Sequence, residues 1–161
     1  MSESLFKGVE LVNAKGETIQ GDVAVRGKNV VLYFAADWCP DCRNLQPSLN
    51  DFYARVNAET PQLELVFVGS DRTEEDQRAH FQDKQGPWWA VPFASEFRSE
   101  LKRRYRVCVR REQEAVGVTD IKAGIPTLVL VQQNGELIRL FNDKELETDG
   151  LQPLEDLLVK V

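Results

Sequence analysis

The sequence predicts an α/β fold with a central mixed sheet and helices on both of its faces. Two apolar runs of strand length, 30–35 and 63–68, are typical of strands covered on both faces. Each run is followed by a segment with helical character, so strands and helices alternate along the chain. Near the other end, Asn134-Gly135 separates two more apolar runs, which is the strongest short-range signal for a β-hairpin.

The first half of the chain supplies a hairpin, two strands and two helices. Turn-forming residues at 13–16 lie between two short apolar segments, so an N-terminal β-hairpin is expected. The apolar run at 30–35 leads into a helical pattern that begins near Cys39, and the second apolar run is another buried strand. Acidic residues after Asp71 suit the first turn of a helix that we expect to reach Lys84.

The second half is expected to add a helix, a hairpin and a final helix. The first of these helices covers 97–105, and a charged segment at 107–124 follows it. The Asn-Gly hairpin pairs strands at 127–131 and 137–141, and an amphipathic helix over 151–161 closes the chain. The charged segment contains few large apolar residues and is therefore expected to be a mobile loop.

Length and charge narrow the possible functions. The 161 residues fit a single domain, and a formal charge of −6 argues against nucleic acid or an anionic membrane as the main partner. No export signal is visible, and no stretch has the roughly 18 apolar residues of a membrane span, so we expect a cytoplasmic monomer. Basic residues at 102–104, 106 and 110–111 are interpreted as a solvated face, although they would also suit an anionic protein or thiol substrate.

Three cysteines are present, of which Cys39 and Cys42 form a Cys-Pro-Asp-Cys motif and Cys108 stands apart. Three are too few for the disulfide framework of a secreted protein, and a close pair in a reducing compartment is more often catalytic or metal-binding. With His80 as the single histidine, a zinc site would lack its usual four ligands, so we expect no metal and no other cofactor. His80 and Cys108 are interpreted as a surface residue and a spectator thiol.

The position of the motif favours a reactive dithiol. Cys39 is expected at the N-terminus of a helix and Cys42 one turn later, outside the carboxyl end of a strand, where open α/β sheets bind ligands. Free N–H groups and the helix dipole stabilise a thiolate there, and such placement lowers a cysteine pKa from about 8.5 toward 7. We therefore predict Cys39 as the exposed nucleophile and Cys42 as the shielded resolving thiol.

The two residues between the cysteines have opposite expected effects. Pro40 suits the first helical position because it has no N–H group that needs a partner. Asp41 also suits a first turn, but its charge disfavours a nearby thiolate, so a reductant is expected rather than a strong oxidant. The alternative interpretation of the motif is a pair of inert thiols in a helix.

The segment Phe34–Arg43 resembles the active-site stretch of the thioredoxin superfamily, and most closely that of its tryparedoxin and nucleoredoxin branch. Pro87–Phe93 is similar to the Pro-Trp-x-Ala-Val-Pro-Phe signature of that branch, and Phe52-Tyr53 matches it as well. The resemblance extends from about Val9 to Phe141. It implies a thioredoxin-like fold in which Pro126 is a cis-proline beside the dithiol.

The resemblance also implies a function for the dithiol, which is to reduce protein disulfides. Peroxiredoxins are plausible clients, and a low-molecular-weight dithiol such as trypanothione, or a reductase, would regenerate the protein. The residues implied to contact substrate are Trp38, Pro40, Asp41, Ile125, Pro126 and Thr127. Two other functions stay open at this stage. One is a non-catalytic, redox-dependent binding module of the nucleoredoxin-like type, and the other is a periplasmic thiol reductase of the cytochrome-maturation type.

Three features depart from the pattern of the branch. Its members usually carry two prolines between the cysteines, where this chain has Pro40 and Asp41. Tyr33 stands where ordinary thioredoxins have a buried acid, although the tryparedoxin branch also has an aromatic residue there. The segment 107–124 looks like an insertion before the cis-proline. We expect this insertion to select or exclude clients and to contribute little to folding.

Overall fold

A seven-stranded mixed sheet forms the centre of the computed structural model, which describes residues 3–161. The strands are β1 Glu10–Val12, β2 Thr18–Gln20, β3 Asn29–Ala35, β4 Leu63–Gly69, β5 Trp89–Ala90, β6 Thr127–Val131 and β7 Leu137–Phe141. Their order across the sheet is β2-β1-β5-β4-β3-β6-β7. Because β3 is parallel to β4 and antiparallel to β6, the sheet is mixed, as predicted.

Helices cover both faces of this sheet. They are α1 Gly21–Val25, α2 Pro40–Val56, α3 Glu74–Lys84, α4 Glu96–Tyr105, α5 Gln113–Val116, α6 Asp143–Asp149 and α7 Gln152–Leu157, with a 3-10 helix at Arg110–Glu112. Helices α2, α3, α6 and α7 pack on one face, whereas α1 and α4 pack on the other. Within residues 3–161, none of the helices has both the length and the apolar character needed to span a bilayer.

Strand β3 is buried on both faces, which explains its unbroken apolar sequence. Alternate residues point to opposite sides of a strand, so Tyr33 and Ala35 join the core under α2 while Leu32 and Phe34 join the core under α4. The strand ends at Ala35, and the chain then enters α2 through the segment that carries the dithiol. The site therefore lies at the carboxyl end of the central strand, as predicted.

Trp88 anchors the core on the dithiol face. Its side chain is buried and packs edge-on against Tyr33 and Tyr53, with ring centroids 6.3 and 5.1 Å apart. The indole Nε1 donates to Gln85 Oε1 at 2.9 Å, which satisfies its single polar atom. Gly86 lies so close that a Cβ there would meet the indole at 2.5 Å. Trp88 is therefore a packing residue of this core.

Both predicted hairpins are present. Residues of β1 pair with β2 around a turn in which Gly16 has φ +84°, and β6 pairs with β7 around a turn in which Gly135 has φ +90°. Such positive φ values favour glycine, because a side chain is strained there. The sequence signals for the two turns are therefore local and reliable.

The predicted C-terminal helix over 151–161 is wrong in its bounds. Helix α6 precedes it at Asp143–Asp149, α7 ends at Leu157, and Gly150 separates the two at φ +66°. Asn142 begins α6, because its side chain accepts a hydrogen bond from the Glu145 N–H at 2.9 Å. The Asn-x-x-Glu spacing of these two residues is a helix-start signal that the sequence interpretation overlooked.

The expectation of a mobile loop over 107–124 is also wrong. The segment contains the 3-10 helix and α5, and its start and end form an isolated parallel bridge between Val107 and Ala123. Small and medium apolar side chains are buried along it, namely Val107, Cys108, Val116, Val118 and Ala123. Cys108, Val116 and Val118 form a small core within the segment, whereas Val107 and Ala123 join the core under α4. The small number of large apolar residues had hidden both contributions.

Candidate active site

Cys39 and Cys42 occupy the first turn of α2, as predicted. Cys39 is the N-cap residue, with extended backbone angles, and Pro40 is the first helical residue. The Cys39 Sγ accepts a hydrogen bond from the Cys42 N–H at 3.3 Å, so the sulfur occupies the place of a capping oxygen. Both cysteines are free thiols in this structure. A sulfur in this position benefits from the unpaired N–H groups of the helix start when it is negatively charged.

A cis-proline turn covers the dithiol. The Ile125–Pro126 peptide bond is cis, as predicted, and the Cys39 thiol lies 3.8 Å from the Ile125 carbonyl oxygen, to which it can donate. Cys39 is therefore 6% exposed and Cys42 is 1% exposed. The predicted order of accessibility holds, but the prediction of an exposed Cys39 is wrong because this turn covers it. Thr127 is fully buried and its hydroxyl donates to the Gly124 carbonyl at 2.7 Å, so its side chain supports the turn.

Cys42 is held as a neutral thiol. Burial raises its pKa far above the ordinary value of 9.0, and the hydrogen bond with Cys39 and the charge of Asp143 act in the same direction. A thiol of this kind does not compete with Cys39 for a substrate disulfide. Its burial directly behind Cys39 is the arrangement that a resolving thiol needs.

Beneath the dithiol lies a neutral polar pair instead of a buried acid. Tyr33 is fully buried, and its hydroxyl donates to Gln46 Oε1 at 2.8 Å. Burial raises the Tyr33 pKa well above 10.0. Tyr33 therefore stays protonated at neutral pH and adds no charge beneath the sulfur atoms.

An acidic pair lies on one side of the dithiol. Burial raises the Asp143 pKa from 3.8 to about 6, and a hydrogen bond and charge repulsion from Asp41 add to the effect. Both residues line an open groove of about 660 Å³ between α2 and the α6–α7 region, together with Pro126 and Glu147. The sequence interpretation included Asp41 and missed Asp143, because nothing local to residue 143 links it to the dithiol.

Trp38 forms the opposite side of the site. Its indole Nε1 donates to the Ser70 carbonyl at 2.9 Å, and its side chain remains 36% exposed. The guanidinium carbons of Arg111 and Arg72 lie 5.0 and 6.0 Å from the centroid of the indole, within the range of cation–π attraction. Both arginines are additions to the predicted set of site residues.

Asp71 and His80 form a buried pair behind the dithiol loop. His80 Nδ1 lies 3.0 Å from Asp71 Oδ2, and the two side chains are 3% and 1% exposed. The other carboxylate oxygen of Asp71 accepts the Asp37 N–H at 2.8 Å, which fixes the residue before Trp38. The prediction of His80 as a surface residue is therefore wrong, because the buried Asp71 carboxylate gives its ring a polar partner inside the protein.

Asp37 adds surface contacts to the same loop. Its carboxylate lies 2.7 Å from Lys84 Nζ and 3.8 Å from Arg43 Nε, and Arg43 Nε also donates to the Asp37 carbonyl at 2.6 Å. Partial burial raises the Asp37 pKa, but Lys84 and other nearby cations outweigh it, so the net shift is downward. The loop before Cys39 is thus held from both sides.

Lys102 ties the insertion to the active-site face. The interpretation of the basic residues as a solvated face is wrong for Lys102, because its side chain is fully buried. Its Nζ lies 2.6 Å from Glu112 Oε1. The same Nζ donates to the Gly69 carbonyl at 2.8 Å and to the Ser70 hydroxyl at 3.1 Å. Burial lowers the pKa of Lys102, whereas Glu112 opposes this effect. These partners explain how a lysine can be buried here.

Metal ligation is a separate question from disulfide chemistry. Among residues 3–161, no group of three or more histidine, cysteine, aspartate or glutamate side chains has an arrangement that could hold a metal ion.

Comparisons with known proteins agree with this geometry. A family model described as thioredoxin-like matches residues 27–137. Nucleoredoxin from Mus musculus is 33% identical over 129 residues, which are 80% of this chain and 26% of that protein. Nucleoredoxin-like protein 1 from Homo sapiens is 34% identical over 158 residues, which are 91% of this chain and 68% of that protein. The chain thus spans about a quarter of the length of the nucleoredoxins it matches.

Solved structures give the same result. Thioredoxin from Wuchereria bancrofti has a TM-score of 0.74 and 32% identity, with 97% of this chain and 95% of that chain covered. Tryparedoxin I from Crithidia fasciculata has a TM-score of 0.67 and 28% identity, with 94% and 92% covered. The chain belongs to the thioredoxin-like family of oxidoreductases. Its relatives lie in the tryparedoxin and nucleoredoxin branch, as the sequence motifs predict.

Proposed function

We propose that the protein is a protein-disulfide reductase in which Cys39 attacks the substrate and Cys42 resolves the intermediate. The observation that carries this proposal is the geometry at the start of α2. The Cys39 sulfur caps the helix and accepts the Cys42 N–H at 3.3 Å, while Cys42 is buried behind it. This arrangement supplies one sulfur suited to attack and a second sulfur that waits as a neutral thiol.

The proposed reaction transfers two electrons to the substrate. The Cys39 thiolate attacks one sulfur of a substrate disulfide, the substrate S–S bond breaks, and the leaving sulfur takes up a proton. Cys42 then loses its proton and attacks the Cys39 sulfur, which releases the second substrate thiol. The products are a reduced substrate and a Cys39–Cys42 disulfide, so the dithiol is oxidised as the substrate is reduced.

The surroundings of the dithiol have distinct parts in this proposal. The Ile125 carbonyl and Pro126 form the wall against which an extended client segment would lie, and Trp38 forms the side of the site next to Cys39. Asp41 and Asp143 place negative charge near the sulfur atoms, which disfavours the thiolate form and suits a reductant. By comparison with thioredoxins and glutaredoxins, we expect a reduction potential between about −270 and −200 mV.

Electron donor, clients and compartment belong to the same proposal. We propose that a low-molecular-weight dithiol or a reductase returns the Cys39–Cys42 disulfide to the dithiol, and that protein disulfides, including those of peroxiredoxins, are the clients. The proposed setting is the cytoplasm, with the protein acting as a monomer. Side-by-side regeneration assays with trypanothione, glutathione and thioredoxin reductase identify the donor.

The decisive experiment measures steady-state reduction of insulin disulfides by the protein and three single variants. Cys39→Ser is expected to abolish turnover, whereas Cys42→Ser is expected to accumulate mixed disulfides with the substrate. Cys108→Ser is the matched control, because Cys108 is a buried thiol that packs with Val116 and Val118 and not in the core around Cys39 and Cys42. We expect this variant to leave turnover unchanged. Turnover by the unaltered protein no faster than that of Cys39→Ser would refute the proposal. In that case redox-dependent capture of a partner would identify a binding module instead.

A further inference from the structure

The insertion brings a positive charge to the substrate face of the dithiol. Arg111 lies on the 3-10 helix of the insertion and approaches Trp38, which Arg72 also approaches from the loop between β4 and α3. We propose that these three residues, the arginine–tryptophan site, bind carboxylate groups next to the disulfide of a client peptide. This proposal rests on the proposed reductase function and names its preferred substrate class, which is disulfides in acidic segments.

The arginine–tryptophan site is held in place by buried contacts. Ser70 connects its two sides, because the Ser70 carbonyl accepts the Trp38 indole N–H at 2.9 Å while the Ser70 hydroxyl donates to Glu112 Oε2 at 2.7 Å. Glu112 directly follows Arg111 and is bound to the buried Lys102. The backbone that carries Arg111 is thereby fixed relative to Trp38. A fixed site loses less conformational entropy on binding than a mobile loop would lose.

The two guanidinium groups of this site are available to a ligand. Among the side-chain contacts of residues 3–161, neither Arg72 nor Arg111 takes part in an ion pair or donates a side-chain hydrogen bond, whereas Arg43 and Arg103 do both. A guanidinium beside an aromatic ring keeps its N–H donors for a carboxylate, which it can bind with two parallel hydrogen bonds.

Charge on the two sides of the dithiol differs in sign. The Trp38 side carries Arg72 and Arg111, whereas the groove on the other side carries Asp41 and Asp143. A client with carboxylates near its disulfide is attracted on the first side and repelled on the second, so its chain direction across Cys39 is selected as well. This positive side is opposite in sign to the formal charge of the whole chain, which is −6.

The test uses two fluorogenic peptides that contain one disulfide each. One peptide carries glutamates on one side of its disulfide, and the other carries glutamines at the same positions. We expect the unaltered protein to reduce the glutamate peptide with a kcat/KM about three-fold higher at low ionic strength, as one or two exposed charge pairs allow. Arg111→Gln should remove most of this preference, which is measured as the ratio of kcat/KM for the glutamate peptide to kcat/KM for the glutamine peptide. The preference should also decline as salt is added.

Arg110→Gln is the matched control, because it removes the same charge from the neighbouring residue, which lies outside contact range of the Trp38 ring. An equal loss of preference in both variants would assign the effect to net charge and overturn the site. Binding of the same peptides with serine in place of cysteine, followed by fluorescence anisotropy, separates this proposal from the reductase function. Failure to reduce either peptide refutes the function, whereas equal affinity for the two serine peptides refutes the arginine–tryptophan site.

Discussion

Glu112→Gln tests whether the insertion is part of the folded core. The substitution keeps the size of the side chain but removes the negative charge that lies 2.6 Å from the buried Lys102 ammonium. The second carboxylate oxygen accepts two further hydrogen bonds, from the Ser70 hydroxyl at 2.7 Å and the Val109 N–H at 2.9 Å. An amide has one acceptor oxygen, so at least one of these donors loses its partner.

The expected loss of stability follows from these contacts. Glu112 is 17% exposed and Lys102 is 0% exposed, so the ion pair is partly shielded from water. Removal of one partner leaves a buried charge without its counter-ion, and we expect a loss of about 2 to 3 kcal/mol in the free energy of unfolding. For a chain of this size, that corresponds to a fall in Tm of about 5 to 10 °C.

Urea unfolding followed by circular dichroism measures this effect. The matched control is Glu96→Gln, whose carboxylate is 72% exposed and pairs with Arg103 at 2.9 Å. We expect that control to lie within about 0.5 kcal/mol of the unaltered protein. A double variant that also carries Lys102→Met should recover part of the loss, because the buried charge is then absent. Equal stability of Glu112→Gln and Glu96→Gln would refute the reasoning. It would favour the earlier expectation that the insertion contributes little to folding.

Two further predictions concern the surroundings of the dithiol. The pKa of Asp143 is raised from 3.8 to about 6 in the folded protein, so its protonation favours folding and this contribution is lost as pH rises from about 4 through 6. In unfolding curves, Asp143→Asn should therefore become more stable relative to the unaltered protein as the pH rises over that range. The same variant should raise the reduction potential by about 15 mV, because a negative charge near Cys42 disappears. A constant stability difference across that range would contradict this. His80→Phe should cost about 2 kcal/mol and slow insulin reduction, because Asp71 keeps its hydrogen bond from Asp37 but loses its buried partner. His80→Gln should restore part of both, and unchanged kinetics in His80→Phe would show that the pair is structural only.

The dithiol and its strand were predictable because their signals are local. An unbroken apolar run predicts a strand covered on both faces, and the cysteine spacing together with Pro40 predicts the start of a helix. Both signals concern residues that are neighbours in the chain. The cis form of the Ile125–Pro126 bond was predictable for a different reason, since it followed from resemblance to a family and not from residue spacing.

The errors at Lys102 and His80 share a physical cause, which is that burial of a polar group depends on partners far away in the sequence. Lys102 is one of several basic residues in a row, and its burial depends on Glu112 and on the carbonyl of Gly69. His80 is buried in a mostly polar helix because its ring Nδ1 has a buried polar partner, the Asp71 carboxylate, at 3.0 Å. Helix α6 was missed because most of its seven residues are charged, so that it has no apolar period.

In the proposed reaction, charged groups act on this dithiol from its sides and not from beneath it. Tyr33 is neutral at ordinary pH, so the position under the sulfur atoms contributes no charge that a client could alter. Asp143, by contrast, lies in an open groove, and its charge adds to the effect of burial, which is the main cause of the raised Cys42 pKa. A client group that neutralises Asp143 would therefore lower the pKa of the resolving thiol and ease the step that releases the reduced client. In the proposed reaction, an ionic contact in that groove, several residues away from the disulfide being reduced, would thus affect the rate of the second step, while the proposed arginine–tryptophan site would affect the first.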